Sequence, residues 1–252
     1  MLGTPAPSGL VCRGKSRYNL WCFVTSCGRL RRLSGRRAGC GIIADAADVE
    51  ESSAMITLVE ARNYRCLGYA RQMLEPFHVL VGPNATGKTT FLDVVGFLGD
   101  LVSSGLEAAV ARRASSPADL TWWRKENSFE LAMEATFPES FRAKLEHPDF
   151  DRIRYEVGIG TDVEGQGIGI TTERVLLKKN GETEEAQRDL FPHVRSVPST
   201  ILSPKGLPRK RQSIIVSKEQ GGNENFYPET TKGYKPSYPS KPRRVALANV
   251  PP

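Results

Sequence analysis

The sequence predicts an α/β fold built around a phosphate-binding loop, and three adjoining observations predict it. Gly82-Pro83-Asn84-Ala85-Thr86-Gly87-Lys88-Thr89 has the spacing G-x-x-x-x-G-K-T. The short apolar run Phe77-His78-Val79-Leu80-Val81 leads straight into it, and Phe91, Leu92, Val94, Val95, Leu98, Leu101 and Val102 follow at helical spacing. Strand, loop and helix in that order are the context in which the spacing acquires physical meaning. Glycines let the backbone curl until successive N–H groups face an anion, at the positive end of the helix that follows. In such a loop Lys88 reaches the outer phosphates and the Thr89 hydroxyl ligates magnesium.

The elements follow from the pattern in chain order. Met55 opens an alternating strand through Arg65. Pro76 and Gly82-Pro83 bound the run 77–81, which has the apolar content of a buried parallel strand. Ser103-Ser104-Gly105 stops or breaks the helix after the loop, and Leu106 to Arg113 continues as a second helical piece. Ser115 to Leu120 reads as a loop beginning another turn. Trp122 and Trp123 come next, and adjacent positions cannot share one helical face, so at least one ring belongs at a surface or an interface. Core or subunit packing is the commoner use of such a ring, and stacking on a nucleobase the rarer one.

Three further segments alternate polar and apolar residues and predict antiparallel strands: Glu130–Phe137, Ile153–Ile159 and Thr172–Lys178. Asn180-Gly181 is a turn signal after the last of them. Glu182, Glu184, Glu185, Arg188 and Asp189 suggest a solvated helix, and Val197 to Pro204 an extended or turn segment. Residues 220–252 are rich in Gly, Pro, Tyr, Ser and Lys without a sustained apolar period, which predicts a flexible tail.

Composition sets the limits. A chain of 252 residues with 39% hydrophobic residues can bury one substantial core, and no apolar stretch approaches membrane-spanning length, so the expectation is a cytoplasmic protein. The net charge of +7 is uneven, since residues 1–44 hold eight Lys and Arg and no acidic residue. The remainder is close to balance, and charge therefore does not select DNA as a partner. Lys205, Arg209, Lys210 and Arg211 form a compact basic cluster of the kind that is more often a solvated loop than a phosphate contact. Cys12, Cys22, Cys27 and Cys40 lack the paired spacing of a zinc ribbon. Residues 1–54 thus read as a basic, Cys-containing extension, disordered and upstream of a domain that begins near Met55.

From Met55 onward the chain resembles the start of ABC-type ATPase heads. The residues that carry the resemblance are Arg62-Asn63-Tyr64-Arg65-Cys66-Leu67 after an alternating strand, and then Leu74 through Asp93, with Pro83-Asn84 after the first glycine and Thr89-Thr90 after the lysine. Heads of this kind occur in the RecF, SMC and OLD-like proteins and in AAA family ATPases of the AAA-15 and AAA-21 types. The resemblance implies a P-loop NTPase lobe with an antiparallel β subdomain, spanning residues 55–219. It implies ATP and magnesium as ligands, held by Gly82, Pro83, Asn84, Ala85, Thr86, Gly87, Lys88, Thr89 and Thr90. It also places Arg62, Asn63 and Arg65 near the nucleotide edge.

Hydrolysis in such heads needs an apolar run followed by Asp and Glu, to hold magnesium and polarise water. Ile214-Ile215-Val216 is followed instead by Ser217-Lys218-Glu219, and neither a Ser-Gly-Gly element after the loop nor a histidine after His193 is found. The expectation is an incomplete head without an identified catalytic residue, completed by a head-to-head homodimer or by a partner chain. A nucleotide-dependent interaction module or a nonfunctional fragment, without catalysis, is the alternative.

Overall fold

The structure is a computed structural model and describes residues 54–162, 167–179, 197–204, 212–228 and 235–249. Strand β1 (Ile56–Tyr64) and strand β2 (Leu67–Met73) form a hairpin, in the register Leu58↔Met73 and Arg62↔Tyr69. Helix α1 (Lys88–Ser104) and helix α2 (Leu106–Ala111) follow, separated by Gly105 at φ 86. Only glycine takes that conformation without strain, and its N–H closes α1 on the Leu101 carbonyl at 3.1 Å.

Two short 3₁₀ turns, Pro117–Leu120 and Trp122–Arg124, lead into β3 (Ser128–Thr136). Helix α3 (Glu139–Arg142) precedes β4 (Phe150–Thr161), β5 (Ile168–Lys179), β6 (Gln212–Glu219), β7 (Asn223–Phe226) and β8 (Ser237–Pro239). A last 3₁₀ turn covers Ala246–Asn249. These strands make one sheet in the order β2-β1-β3-β4-β5-β6-β7-β8, and every pairing is antiparallel.

The alternation seen in the sequence divides the sheet into two faces. Odd positions of β1, β3 and β4, among them Val59, Ala61, Phe129, Leu131, Tyr155, Val157 and Ile159, are buried in the hydrophobic core. Helix α1 brings Phe91, Val94, Phe97, Leu98 and Leu101 into that core. Tyr64, Phe97 and Phe129 meet there with ring centroids 5.2 to 5.8 Å apart, joining β1, α1 and β3. Even positions put charge on the opposite face. Arg154 spans Glu156 (2.5 Å), Glu60 (2.9 Å) and Glu134 (3.2 Å), and it also donates to the Ile201 carbonyl (3.0 Å). The segment 197–204 lies against this charged row: Ile201 N–H donates to Glu130, and Ser203 donates to Glu156 from both its N–H and its hydroxyl.

Two expectations are corrected. The run 77–81 is not a strand, and among the described residues no parallel pairing exists to hold one. A parallel strand needs neighbours to take up its slanted hydrogen bonds and to cover both faces. Without them Phe77 (82% exposed), Val79 (60%) and Val81 (88%) face solvent, while Leu80 packs on the core. Nor are the described parts of 220–252 a loose tail. Strands β7 and β8 extend the sheet, and Val245, Ala246 and Leu247 are buried. The buried Lys218 ammonium holds this region by donating to the carbonyls of Lys241 (2.6 Å) and Arg244, beside Glu224 at 3.1 Å. The extension 1–53, the expected helix near 182–189, the turn at 180–181 and the basic cluster at 205–211 fall outside the described residues.

Candidate functional site

The loop 82–87 links the exposed run 77–81 to α1. Ala85 (φ 65) and Gly87 (φ 90) both take left-handed conformations, and Gly87 stands at the N-terminal cap of α1 with no side chain capping the helix. The first N–H groups of α1 are therefore left to partners outside the helix. Glycine suits this position because its φ is left-handed, and a Cβ there would also crowd Leu67 Cδ2 at 3.0 Å and Cys66 Sγ at 3.3 Å.

Lys88 bends back over the loop and donates to the carbonyls of Gly82 (2.7 Å) and Pro83 (2.5 Å), with Thr86 Oγ1 at 3.4 Å. Thr86 Oγ1 donates to the Pro83 carbonyl at 2.9 Å. Thr89 is exposed on the first turn, and the Thr90 hydroxyl meets Cys66 Sγ at 3.2 Å. Among the described residues no group of three or more His, Cys, Asp or Glu side chains converges on a metal position. An exposed threonine hydroxyl beside a polyphosphate is a hard-oxygen set, and magnesium is bound in that way through few protein ligands. Thr89 is an exposed hydroxyl of that kind on the first turn of α1.

The three residues placed at the nucleotide edge by resemblance separate in the structure. Arg65 turns to the α1 side and donates to Asp93 Oδ2 at 3.2 Å. Arg62 lies on the charged face, where its Nε donates to the Pro198 carbonyl at 2.9 Å and its guanidinium stands 4.0 Å from Glu130. Asn63 is buried and left-handed (φ 56). Its role is in the backbone. It reverses the side-chain alternation, so that Tyr64 enters the core with Val59 and Ala61 instead of following Glu60 and Arg62, and asparagine tolerates that conformation better than most residues.

Residues that the motif does not include complete the surroundings. Asp93, one turn into α1, accepts from Tyr64 Oη (2.7 Å), Arg65 (3.2 Å) and Arg113 Nε (2.7 Å). Arg113 also reaches Asp100 at 2.7 Å, so Asp93 and Asp100, seven apart on one helical face, are bridged by one guanidinium. Burial, reinforced by the Asp93 carboxylate, raises the Tyr64 phenol well above its ordinary pKa and keeps it a hydrogen-bond donor. That i, i+7 pair of carboxylates in the otherwise apolar stretch 91–102, with arginine soon after, was the signal available in the sequence.

Beside the first turn of α1 opens a pocket of about 360 Å³, lined by Arg65, Cys66, Thr90, Asp119, Trp123 and others. The hairpin turn and the Pro117–Arg124 segment are tied together beneath it, because Arg65 N–H donates to the Leu120 carbonyl at 2.9 Å and Tyr64 bridges Thr121. Comparison with family models, with curated proteins and with solved structures found no match.

Proposed function

We propose that this chain binds ATP with magnesium through residues 82–90, as one lobe of an ATPase head of the ABC type. The observation that carries the reading is the G-x-x-x-x-G-K-T loop ending in left-handed Gly87 at the uncapped start of a 17-residue helix. Backbone N–H groups and the helix dipole favour polyphosphate there. Lys88 would exchange its carbonyl partners in the loop for phosphate oxygens, a stronger charge-assisted pairing. Thr89 would hold magnesium, and Arg65 is the nearby guanidinium on the same side.

Phosphoryl transfer depends on positioning and on charge stabilisation, and no described residue stands out as the base that would orient water. We therefore assign binding to this chain and hydrolysis to a completed head, formed with a second copy or with a partner chain. The exposure of Phe77, Val79 and Val81 directly before the loop favours a second reading beside the first, a nucleotide-dependent interaction module, because three large apolar side chains exposed within five residues are surface that a partner would bury.

The test is equilibrium binding of a fluorescent ATP analogue to the full chain, with and without magnesium, in parallel with Lys88→Ala. Saturable, magnesium-sensitive binding that is lost in the variant, with little or no turnover, is the expected result. A folded chain that fails to bind overturns the assignment, and brisk hydrolysis by the purified chain overturns the division of labour.

A further inference from the structure

We propose that Trp123 is a stacking platform for the purine base of the nucleotide. The proposal rests on the phosphate-loop reading and adds to it the element that recognises the base.

Trp123 is 72% exposed and adopts φ 52, ψ 19. A bulky side chain in the left-handed region is uncommon, and it persists only where the surroundings hold it. Here they do. Trp122 packs over Gly68, where even a single added Cβ would lie 3.1 Å from the indole ring. Thr121 Oγ1 donates to the Ala118 carbonyl at 2.9 Å, and Arg124 pairs with Asp119 at 2.8 Å. With Trp122 seated and both flanks bonded, the turn presents the next ring to the pocket and not to the core.

That pocket joins Trp123 to the phosphate-loop helix through Thr90, with Arg65 and Cys66 from the hairpin turn and Asp119 from the preceding turn. Its volume lies at the lower end of the range for small-molecule sites. The chemistry suits a purine base. An indole face stacks on any base, and the Asp119 carboxylate, which meets Arg124 through Oδ1, is an acceptor of the kind that an exocyclic amino group satisfies. Triphosphate on the Gly82–Thr90 loop and base on Trp123 would then occupy neighbouring parts of one surface.

The experiment compares ATP with inorganic tripolyphosphate, each with magnesium, as ligands of the full chain by calorimetry. Trp123→Ala should weaken ATP about tenfold and leave tripolyphosphate unchanged, and Trp123→Phe, which keeps a ring, should restore most of the loss. Lys88→Ala should weaken both ligands. Undiminished ATP binding by Trp123→Ala, or equal loss of both ligands, overturns the platform while leaving the phosphate-loop reading intact. Failure of the parent chain to bind either ligand overturns the phosphate-loop reading and the platform with it.

Discussion

Tyr64 Oη donates a 2.7 Å hydrogen bond to Asp93 Oδ2, tying the end of the first strand to the helix that starts after the Gly82–Gly87 loop. The same carboxylate takes Arg65 and Arg113, so one side chain fixes how the hairpin turn, α1 and the segment after α2 meet. Asp93→Asn removes the charge while keeping the shape. It should destabilise the chain by about 2 kcal/mol, since hydrogen bonds to charged groups contribute about 1.5–3 kcal/mol. Urea unfolding followed by circular dichroism measures it, and an unchanged midpoint would refute the role given to Asp93.

The two faces of the sheet should respond oppositely to pH. Burial works against charge on Glu134, but Lys178 and Arg154 outweigh it and hold the carboxyl below its ordinary range. That stability is present above the unfolded pKa and is lost as pH falls through the folded value. Burial raises Glu173 despite the N–H groups of Ala246 and Leu247, so its contribution is present below the unfolded pKa and is lost as pH rises through the folded value. Glu134→Gln should cost about 1.5–3 kcal/mol at neutral pH, because it removes the charge-assisted hydrogen bonds from Lys178 and Arg154 while Glu60 and Glu156 still pair Arg154, and the gap should narrow on acidification. Glu173→Gln should gain on the parent as pH rises above the ordinary carboxylate range. Urea midpoints across pH 4 to 8, ~9 points per variant, resolve both trends; parallel curves would contradict the assignment.

Much of this architecture can be read from the chain because period and burial agree locally. Strands β1, β3, β4 and β5 alternate polar and apolar residues or nearly so, though much of both faces is buried, α1 carries its apolar stripe and Gly105 stops it, and adjacent tryptophans divide into a packed Trp122 and an exposed Trp123. The misses have a common cause in long-range partners. Strand β2 is half-buried except at exposed Arg71 and shows no period. Val245, Ala246 and Leu247 read as tail until Glu173, some 73 residues earlier, accepts the Ala246 N–H at 2.6 Å. The run 77–81 has the composition of a buried strand but lacks a ladder partner. The start of α1 directly after Gly87 was legible from the spacing, whereas Asn63 and Arg62 had roles that only backbone conformation and the opposite face of the sheet reveal.

Cys66 offers a reporter for the pocket. It is exposed, bonded to Thr90 and within reach of the Gly87 backbone position. Alkylation by N-ethylmaleimide, read on the Cys66 peptide by mass spectrometry to separate it from Cys12, Cys22, Cys27 and Cys40, should slow when ATP and magnesium are added. With nucleotide at about ten times its dissociation constant, the rate should fall about tenfold with the free fraction. A rate indifferent to nucleotide would place the ligand away from this pocket.

Stability and base recognition should part company at Trp123. Left-handed strain costs a non-glycine residue about 1–2 kcal/mol, against about 0.5–1 kcal/mol for the extra unfolded-state freedom of glycine. Since the ring is mostly exposed, Trp123→Gly should stabilise the chain by about 0.5–1 kcal/mol in urea unfolding while weakening ATP. Loss of stability would mean that the indole contributes packing that its exposure does not suggest.

The exposure of Phe77, Val79 and Val81 has a thermodynamic corollary. These residues run directly into the Gly82–Gly87 loop, so a partner that buries them would also restrain the backbone of the proposed nucleotide site. Two ligands ordering one segment are coupled, and the coupling is reciprocal: the factor by which nucleotide tightens the partner equals the factor by which the partner tightens nucleotide. Nucleotide affinity measured on the isolated chain would then be a lower bound on that of the assembly. The difference, expressed as a free energy, would measure how much of the ordering of the loop the partner has already supplied.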